Sequence, residues 1–180
     1  MKTARLFIAA LYLHLALSIA APVGILILNW QREEFSEGGK LLVLSWLAGT
    51  VLAVVLGWIC AVMGFVARHQ RHMGRLVSGW RLLKMKTIPF YVLYFVWSGV
   101  VCGALIISSR GALLPLLLIP AGLVCLFVFQ SGCLGLALVH TMRRHGDGPS
   151  LFHYPGQILP VLDVVSTLFL MRSLHVDNIN

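Results

Sequence analysis

The two best candidates for chemistry in this chain are ionisable residues that lie inside apolar stretches. His14 lies in the stretch that begins at Leu6, and Asp163 lies in the stretch that begins near Tyr154. Ionisable side chains inside a membrane are costly to insert and commonly mark proton or ion pathways. On helices that rise about 1.5 Å per residue, they lie about 12 Å and about 14 Å from the start of their segments. A hydrogen bond or ion pair between them can therefore form.

This predicted polar site has two interpretations. In the functional one, His14 and Asp163 hold a proton or a cation inside a helix bundle, and Ser18 and Gln130 join them. In the structural one, which we favour, the same side chains form a buried clasp that fixes the helices. Because Pro22 has no backbone N–H, the carbonyl of Ser18 loses its helical donor one turn above His14.

The composition is that of a membrane protein. Of the 180 residues, 59% are apolar and 11% are charged, whereas soluble domains are about 45–50% apolar and about 25% charged. These values, with a mean hydropathy of +0.90, exclude a soluble globular domain, a disordered chain and a secreted disulfide scaffold. We expect no nucleic-acid partner, since most of the 14 basic residues flank apolar segments and are explained by membrane topology.

The elements that must position these residues are membrane-spanning helices. A span needs about 20 mostly apolar residues, and its backbone polar groups must be paired internally because lipid offers no partners. We predict an all-α, polytopic transmembrane helix bundle that forms a single domain over residues 1–180. Four spans are clear, at about 6–28, 41–67, 88–107 and 112–140.

The distribution of basic residues predicts the orientation of this bundle. With the N-terminus in the cytoplasm, the cytoplasmic segments hold ten of the 14 basic residues, while the outer links hold only Arg32, Lys40 and Arg110. Cytoplasmic loops of membrane proteins carry an excess of Lys and Arg. We therefore predict a cytoplasmic N-terminus.

The last apolar segment is less regular than the first four. It is long enough to span a membrane but contains Pro155, Pro160 and Asp163. An aspartate at the centre of a bilayer costs about 2.5–3.5 kcal/mol, which the apolar residues around it can offset. We favour a fifth span at 154–171, with a re-entrant or interfacial helix as the alternative.

The first apolar segment also resembles a signal peptide. Lys2 and Arg5 precede an apolar run, and small residues follow near Ala20, as at a cleavage site. The apolar run nevertheless continues to Leu28, which gives a full spanning length. We therefore favour an uncleaved helix.

Small residues form a helix-packing seam in the second and third spans. They recur at intervals of four, and small side chains let helices approach closely in lipid. We favour packing within the bundle, with docking of a second copy or a partner subunit as the alternative. The seam comprises Ser45, Gly49, Ala53, Gly57 and Ala61, together with Gly99 and Gly103.

A basic amphipathic helix is predicted at about 70–86, between the second and third spans. Leu76, Trp80 and Leu83 share one face, which is typical of a helix that lies in the membrane interface. Cations beside an anionic leaflet attract lipid headgroups. We expect this helix to attach the loop to the membrane, with a specific headgroup or cytoplasmic protein site as the alternative. The predicted anionic-lipid contacts are Arg68, Arg71, Arg75, Arg81, Lys84 and Lys86.

The sequence lacks the common catalytic and metal-binding motifs. It contains no HExxH, P-loop or GxSxG motif, and its four cysteines include no CxxC pair. We therefore expect neither a cofactor nor a metal, and an enzyme is disfavoured.

Three stretches carry a resemblance to known proteins: WRLLKMKTIPFYVL (Trp80–Leu93), LLPLLLIPAG (Leu113–Gly122) and QILPVLDVVS (Gln157–Ser166). Together they resemble a family of small bacterial multi-pass membrane proteins without an assigned function. The resemblance implies a bacterial plasma membrane and a fifth span that contains Asp163.

These observations favour a non-enzymatic membrane component. It would be an accessory subunit that binds a membrane-protein partner, or a small self-associating bundle. The alternative is a small solute carrier, coupled to protons through His14 and Asp163.

Overall fold

The computed structural model describes residues 2–29, 37–69, 73–109 and 118–144, together with 166 and 169. These four ranges are α-helices, and each contains a stretch long and apolar enough to cross a membrane. The predicted all-α fold class and the four predicted spans are thus confirmed. The helices are α1 (Lys2–Asn29), α2 (Glu37–His69), α3 (Met73–Ser109) and α4 (Leu118–Arg144).

The observed helices extend beyond the predicted spans by up to four residues, with three differences. The α3 helix begins at Met73, 15 residues before the predicted start of the third span. The fourth span was predicted from residue 112, but α4 begins at Leu118 and residues 110–117 lie outside the described part. The fifth span, predicted at 154–171, also lies outside it apart from Ser166 and Phe169. That span stays a prediction.

The interfacial helix predicted at 70–86 is not a separate element. Residues from Met73 onward are the first part of α3, which continues through Pro89 for 37 residues. Trp80 and Leu83 are fully buried in the core instead of lying on a membrane surface. The reason is that neighbouring helices cover this apolar face more completely than a lipid interface can.

The predicted anionic-lipid contacts are therefore divided by the fold. Lys84 is only 1% exposed, so lipid headgroups do not reach it and its assignment is corrected. Arg81 and Lys86 are exposed, as the prediction requires. The side chains of Arg68, Arg71 and Arg75 lie outside the described part of the chain.

The helices alternate in direction, as successive spans must. The α1 and α2 helices are antiparallel, since Ser18 on α1 meets Trp46, while Leu17 lies against Gly49. The α3 and α4 helices are also antiparallel and are joined by a hydrogen bond from Tyr91 to Ser131. Both α1 and α4 pack against α2 and α3, so α1 and α4 lie diagonally across the bundle.

The small-residue seam of α2 is used for packing inside the bundle. Gly49 faces Leu17 of α1, and Gly57 faces Phe7 of α1 and Gln130 of α4. Ala53 and Ala61, on the same face of α2, are also buried, whereas Ser45 is exposed. The α2 backbone thus lies close to two neighbours at once. Gly99 and Gly103 on α3 differ, because a Cβ atom at either position would meet no atom of the described residues within 4 Å.

The bundle is packed closely at one end and loosely at the other. We call the two ends the N-terminal end, which holds Lys2, and the opposite end, which holds Asn29. Among the described side chains, α3 has none buried beyond Tyr94 and α4 has none buried before Phe127. The core therefore fills the N-terminal half, while the opposite half is more open.

Replacing glycine by alanine tests how closely the seam packs. We expect Gly57→Ala to lower the free energy of unfolding by about 1–3 kcal/mol, the usual effect of overpacking, since its Cβ would overlap the Gln130 amide and the Phe7 ring. Gly103→Ala is the matched control and should be neutral or stabilising. Denaturation in mixed detergent micelles, followed by circular dichroism, measures both. Equal stability of the two variants would show that the seam is not tightly packed.

Candidate functional site

His14 lies at the centre of the bundle and is completely buried. Its ring stacks on Tyr94 of α3 at a centroid distance of 5.5 Å, and Phe127 of α4 meets it edge-on at the same distance. The Trp46 ring of α2 lies 6.1 Å away. Aromatic rings from all three other helices therefore enclose this one imidazole.

Hydroxyl groups from α1 and α2 contact both nitrogens of the His14 ring. The Thr50 Oγ1 atom lies 3.1 Å from Nδ1, and the Ser18 Oγ atom lies 3.5 Å from Nε2. Trp46 donates its indole N–H to Ser18 Oγ over 2.9 Å, and Thr50 donates its hydroxyl proton to the Trp46 carbonyl over 2.8 Å. These contacts form a closed loop that begins and ends at Trp46, which we call the His14 ring of hydrogen bonds.

The directions in this ring determine where the imidazole proton lies. The Thr50 hydroxyl has one proton and donates it to a carbonyl, so towards His14 it can only accept. Nδ1 must therefore carry the proton and donate it to Thr50. Nε2 is left as an acceptor for the Ser18 hydroxyl, whose own oxygen accepts from Trp46. With a neutral His14, every donor in the His14 ring of hydrogen bonds therefore has an acceptor, and no acidic side chain is needed as a partner.

The carbonyl of Ser18 is held by a tryptophan from a third helix. Pro22 lies inside α1 and supplies no N–H for this carbonyl, as expected from the sequence. Trp97 of α3 donates its indole N–H to it over 2.9 Å. The Tyr94 hydroxyl also reaches the Ser18 side chain. Ser18 is therefore the point where three helices are joined by hydrogen bonds.

A cavity of about 320 Å³ lies beside this junction, in the open half of the bundle. Its deep wall contains Ser18, Trp46, Tyr94 and Trp97, and its remaining lining is almost entirely aliphatic. Residues from all four helices take part, among them Ile25, Val43, Val101 and Ile119. The cavity is partly open, and Ile25 and Val43 line it near the end of the bundle where α1 ends and α2 begins.

The structure separates the predicted polar residues into two places. His14 and Ser18 meet, but Gln130 instead donates its side-chain N–H to the Val54 carbonyl of α2 over 2.9 Å. The Gln130 Oε1 atom has no hydrogen-bond partner among the described residues and lies against Gly57. Asp163 lies outside the described part, so its pairing with His14 stays a prediction.

Sequence reasoning missed the partners that His14 has in the fold. These partners lie on other helices, and no spacing within α1 points to them: Thr50, Trp46, Tyr94 and Phe127. One signal was available, since Trp46 and Thr50 are four residues apart and so share a helix face. Whether this face of α2 meets His14 depends on how α1 and α2 are rotated and shifted along their axes relative to each other, which is a property of the tertiary structure.

Metal binding has no support in the described part of the chain. No group of three or more His, Cys, Asp or Glu side chains is placed there to hold an ion. All four cysteines are free, and Cys60 and Cys133 are buried.

Comparison with known proteins gives a family but no activity. The model of a family of unknown function, DUF6652, matches residues 2–175. The chain belongs to this family. No curated protein and no solved structure matches it. The match covers nearly the whole chain, and together with the four apolar helices it is consistent with an integral membrane protein whose activity is not known.

The link between Pro22 and Trp97 can be tested with a double-mutant cycle. Trp97→Phe removes the donor to the Ser18 carbonyl, and we expect a loss of about 1–3 kcal/mol of stability because a buried acceptor is left unpaired. Pro22→Ala restores a helical N–H and should recover much of that loss. Trp58→Phe, at a largely exposed position on α2, is the control. Additive effects of the two changes, measured by denaturation in detergent, would contradict the link.

The proton position on His14 is a second prediction. Nitrogen NMR of the histidine-labelled protein, assigned with His14→Gln, should show a neutral imidazole protonated at Nδ1. Thr50→Val removes the acceptor and should lower stability by about 1–3 kcal/mol, whereas Thr50→Ser keeps the hydroxyl and should retain most of it. A signal protonated at Nε2 would contradict the assigned direction of the ring.

Proposed function

We propose that this protein is a non-catalytic integral membrane protein that binds a small, largely apolar molecule in the cavity beside Ser18. The observation that carries the proposal is the cavity itself, whose volume of about 320 Å³ falls within the range of about 300–1,000 Å³ for small-molecule sites. Such sites are mostly apolar, contain a few polar groups and often lie between the helices of bundles. Each of these features is present here.

The lining favours binding over catalysis. Tyr94 and Cys102 are the only titratable residues among those that line the cavity, which is a poor basis for acid–base chemistry. His14 lies behind this wall, and both of its ring nitrogens already face hydroxyl groups. This favours the clasp interpretation of His14 within the described residues. In a carrier that uses His14 with Asp163, the His14 ring of hydrogen bonds would have to break when the two residues pair.

A second candidate function is the accessory role inferred from the sequence. It is favoured by α3, where a Cβ atom added at Gly99 or Gly103 would meet no atom of the described residues within 4 Å. Small residues on an uncovered helix face suit close approach of another helix, from a second copy of this chain or a partner subunit. Binding of a small molecule and of such a partner are compatible.

We also propose a bacterial plasma membrane as the location, with the N-terminus in the cytoplasm. The excess of Lys and Arg in the predicted cytoplasmic segments supports this orientation. Exposed Lys2, Arg5, Arg81 and Lys86 lie in the N-terminal half of the bundle, where they suit contacts with anionic lipid headgroups.

Filling the cavity tests the proposed function. Ala21 is 7% exposed and lines the cavity, so Ala21→Phe should place a ring inside it. Ala48→Phe, at an exposed position on α2, is the matched control. We expect mass spectrometry of protein purified in lipid nanodiscs to find a retained small molecule in the original protein and in Ala48→Phe, but not in Ala21→Phe. Equal retention by a folded Ala21→Phe variant, or no retained molecule in any of them, would overturn the proposal.

A further inference from the structure

We infer that the cavity binds the hydrocarbon tail of a single-chain amphiphile, with the tail end at Trp46 and Trp97 and the polar head at the opposite end of the bundle. This inference rests on the proposed function and adds the class and the orientation of the ligand. Three properties of the cavity carry it: its deep wall, its aliphatic sides and its position along the helices.

The two indole N–H groups of the deep wall are both already donated to Ser18. The Trp46 indole N–H is donated to the Ser18 hydroxyl, and the Trp97 indole N–H is donated to the Ser18 carbonyl. The Tyr94 hydroxyl also points to Ser18. A polar head placed here would exchange its bonds to water for contacts with ring carbons, which costs free energy. A hydrocarbon group incurs no such cost.

The sides of the cavity lead from this wall towards the membrane surface. Ile25 and Val43 line it on α1 and α2, and Ile25 lies four residues, or about 6 Å, before the end of α1 at Asn29. On α4, Ile119 lines it one residue after the helix begins. The cavity thus extends from the centre of the bundle to within about one helical turn of the helix ends. A molecule bound tail-first would have its head at the membrane–water interface.

The size and charge of the site indicate what kind of amphiphile fits. A volume of about 320 Å³ is at the lower end of the range for ligand sites, which favours one chain over two. At this end of the bundle, Glu37 and Lys40 form an ion pair with an N–O distance of 2.7 Å, so they contribute no net charge for head recognition. The tail, not the head, is therefore the part that the described residues select.

Brominated fatty acids test both the class and the orientation. Bromine quenches tryptophan fluorescence at short range, and Trp46 and Trp97 line the deep wall. Hexadecanoic acid brominated at the chain end should quench the protein in lipid nanodiscs in a saturable manner. The same acid brominated beside the carboxyl group should quench several-fold less. The saturable component should persist in Ala48→Phe and disappear in Ala21→Phe, with Val101→Phe as a second filling variant if Ala21→Phe does not fold.

The outcomes separate this inference from the proposed function. Equal or stronger quenching by bromine beside the carboxyl group would overturn the tail-first orientation. Absence of saturable quenching by either acid, while Ala21→Phe still removes the retained small molecule, would overturn the fatty-acid class and leave the proposed function standing. Saturable quenching that is identical in both filling variants and the original protein would place the acid outside the cavity and overturn the inference.

Discussion

The structure depends on one constraint, which is that a backbone carbonyl inside a membrane must have a donor. Pro22 removes the donor of the Ser18 carbonyl, and Trp97 replaces it from another helix. This bond joins α1 to α3 near the middle of α1. The hydroxyl of the same serine accepts from Trp46 on α2. A residue that would weaken an isolated helix thus creates the junction around which three helices are arranged.

The same junction explains why a cavity lies beside it. The two indole rings that donate to Ser18 come from different helices, and both of them line the cavity. On the N-terminal side of the junction, Phe7, Leu11 and Phe90 are completely buried in the core. On the other side, the described helices supply few buried side chains, and a cavity of about 320 Å³ remains. The described part of the bundle is thus closely packed at one end and more open at the other, where we propose that a ligand binds.

His14 shows how an intramembrane ionisable residue can have a structural role. Buried polar groups are tolerated when every donor and acceptor has a partner, and the His14 ring of hydrogen bonds meets that condition with a neutral imidazole. The aromatic side chains around it exclude lipid and fix the ring orientation. Within the described residues, His14 joins α1 to α2 through these hydrogen bonds, which supports the clasp interpretation that we favour.

Much of this architecture could be predicted from residues that act locally. Apolar length alone predicts the four spans, because a helix is the way a single segment satisfies its own backbone in lipid. The effect of Pro22 on the Ser18 carbonyl is also local, since it concerns residues one turn apart. Trp97 as the replacement donor, Thr50 as the partner of His14 and the burial of Lys84 follow from helix register and contacts. These arise between segments far apart in the chain, and only the tertiary structure brings them together.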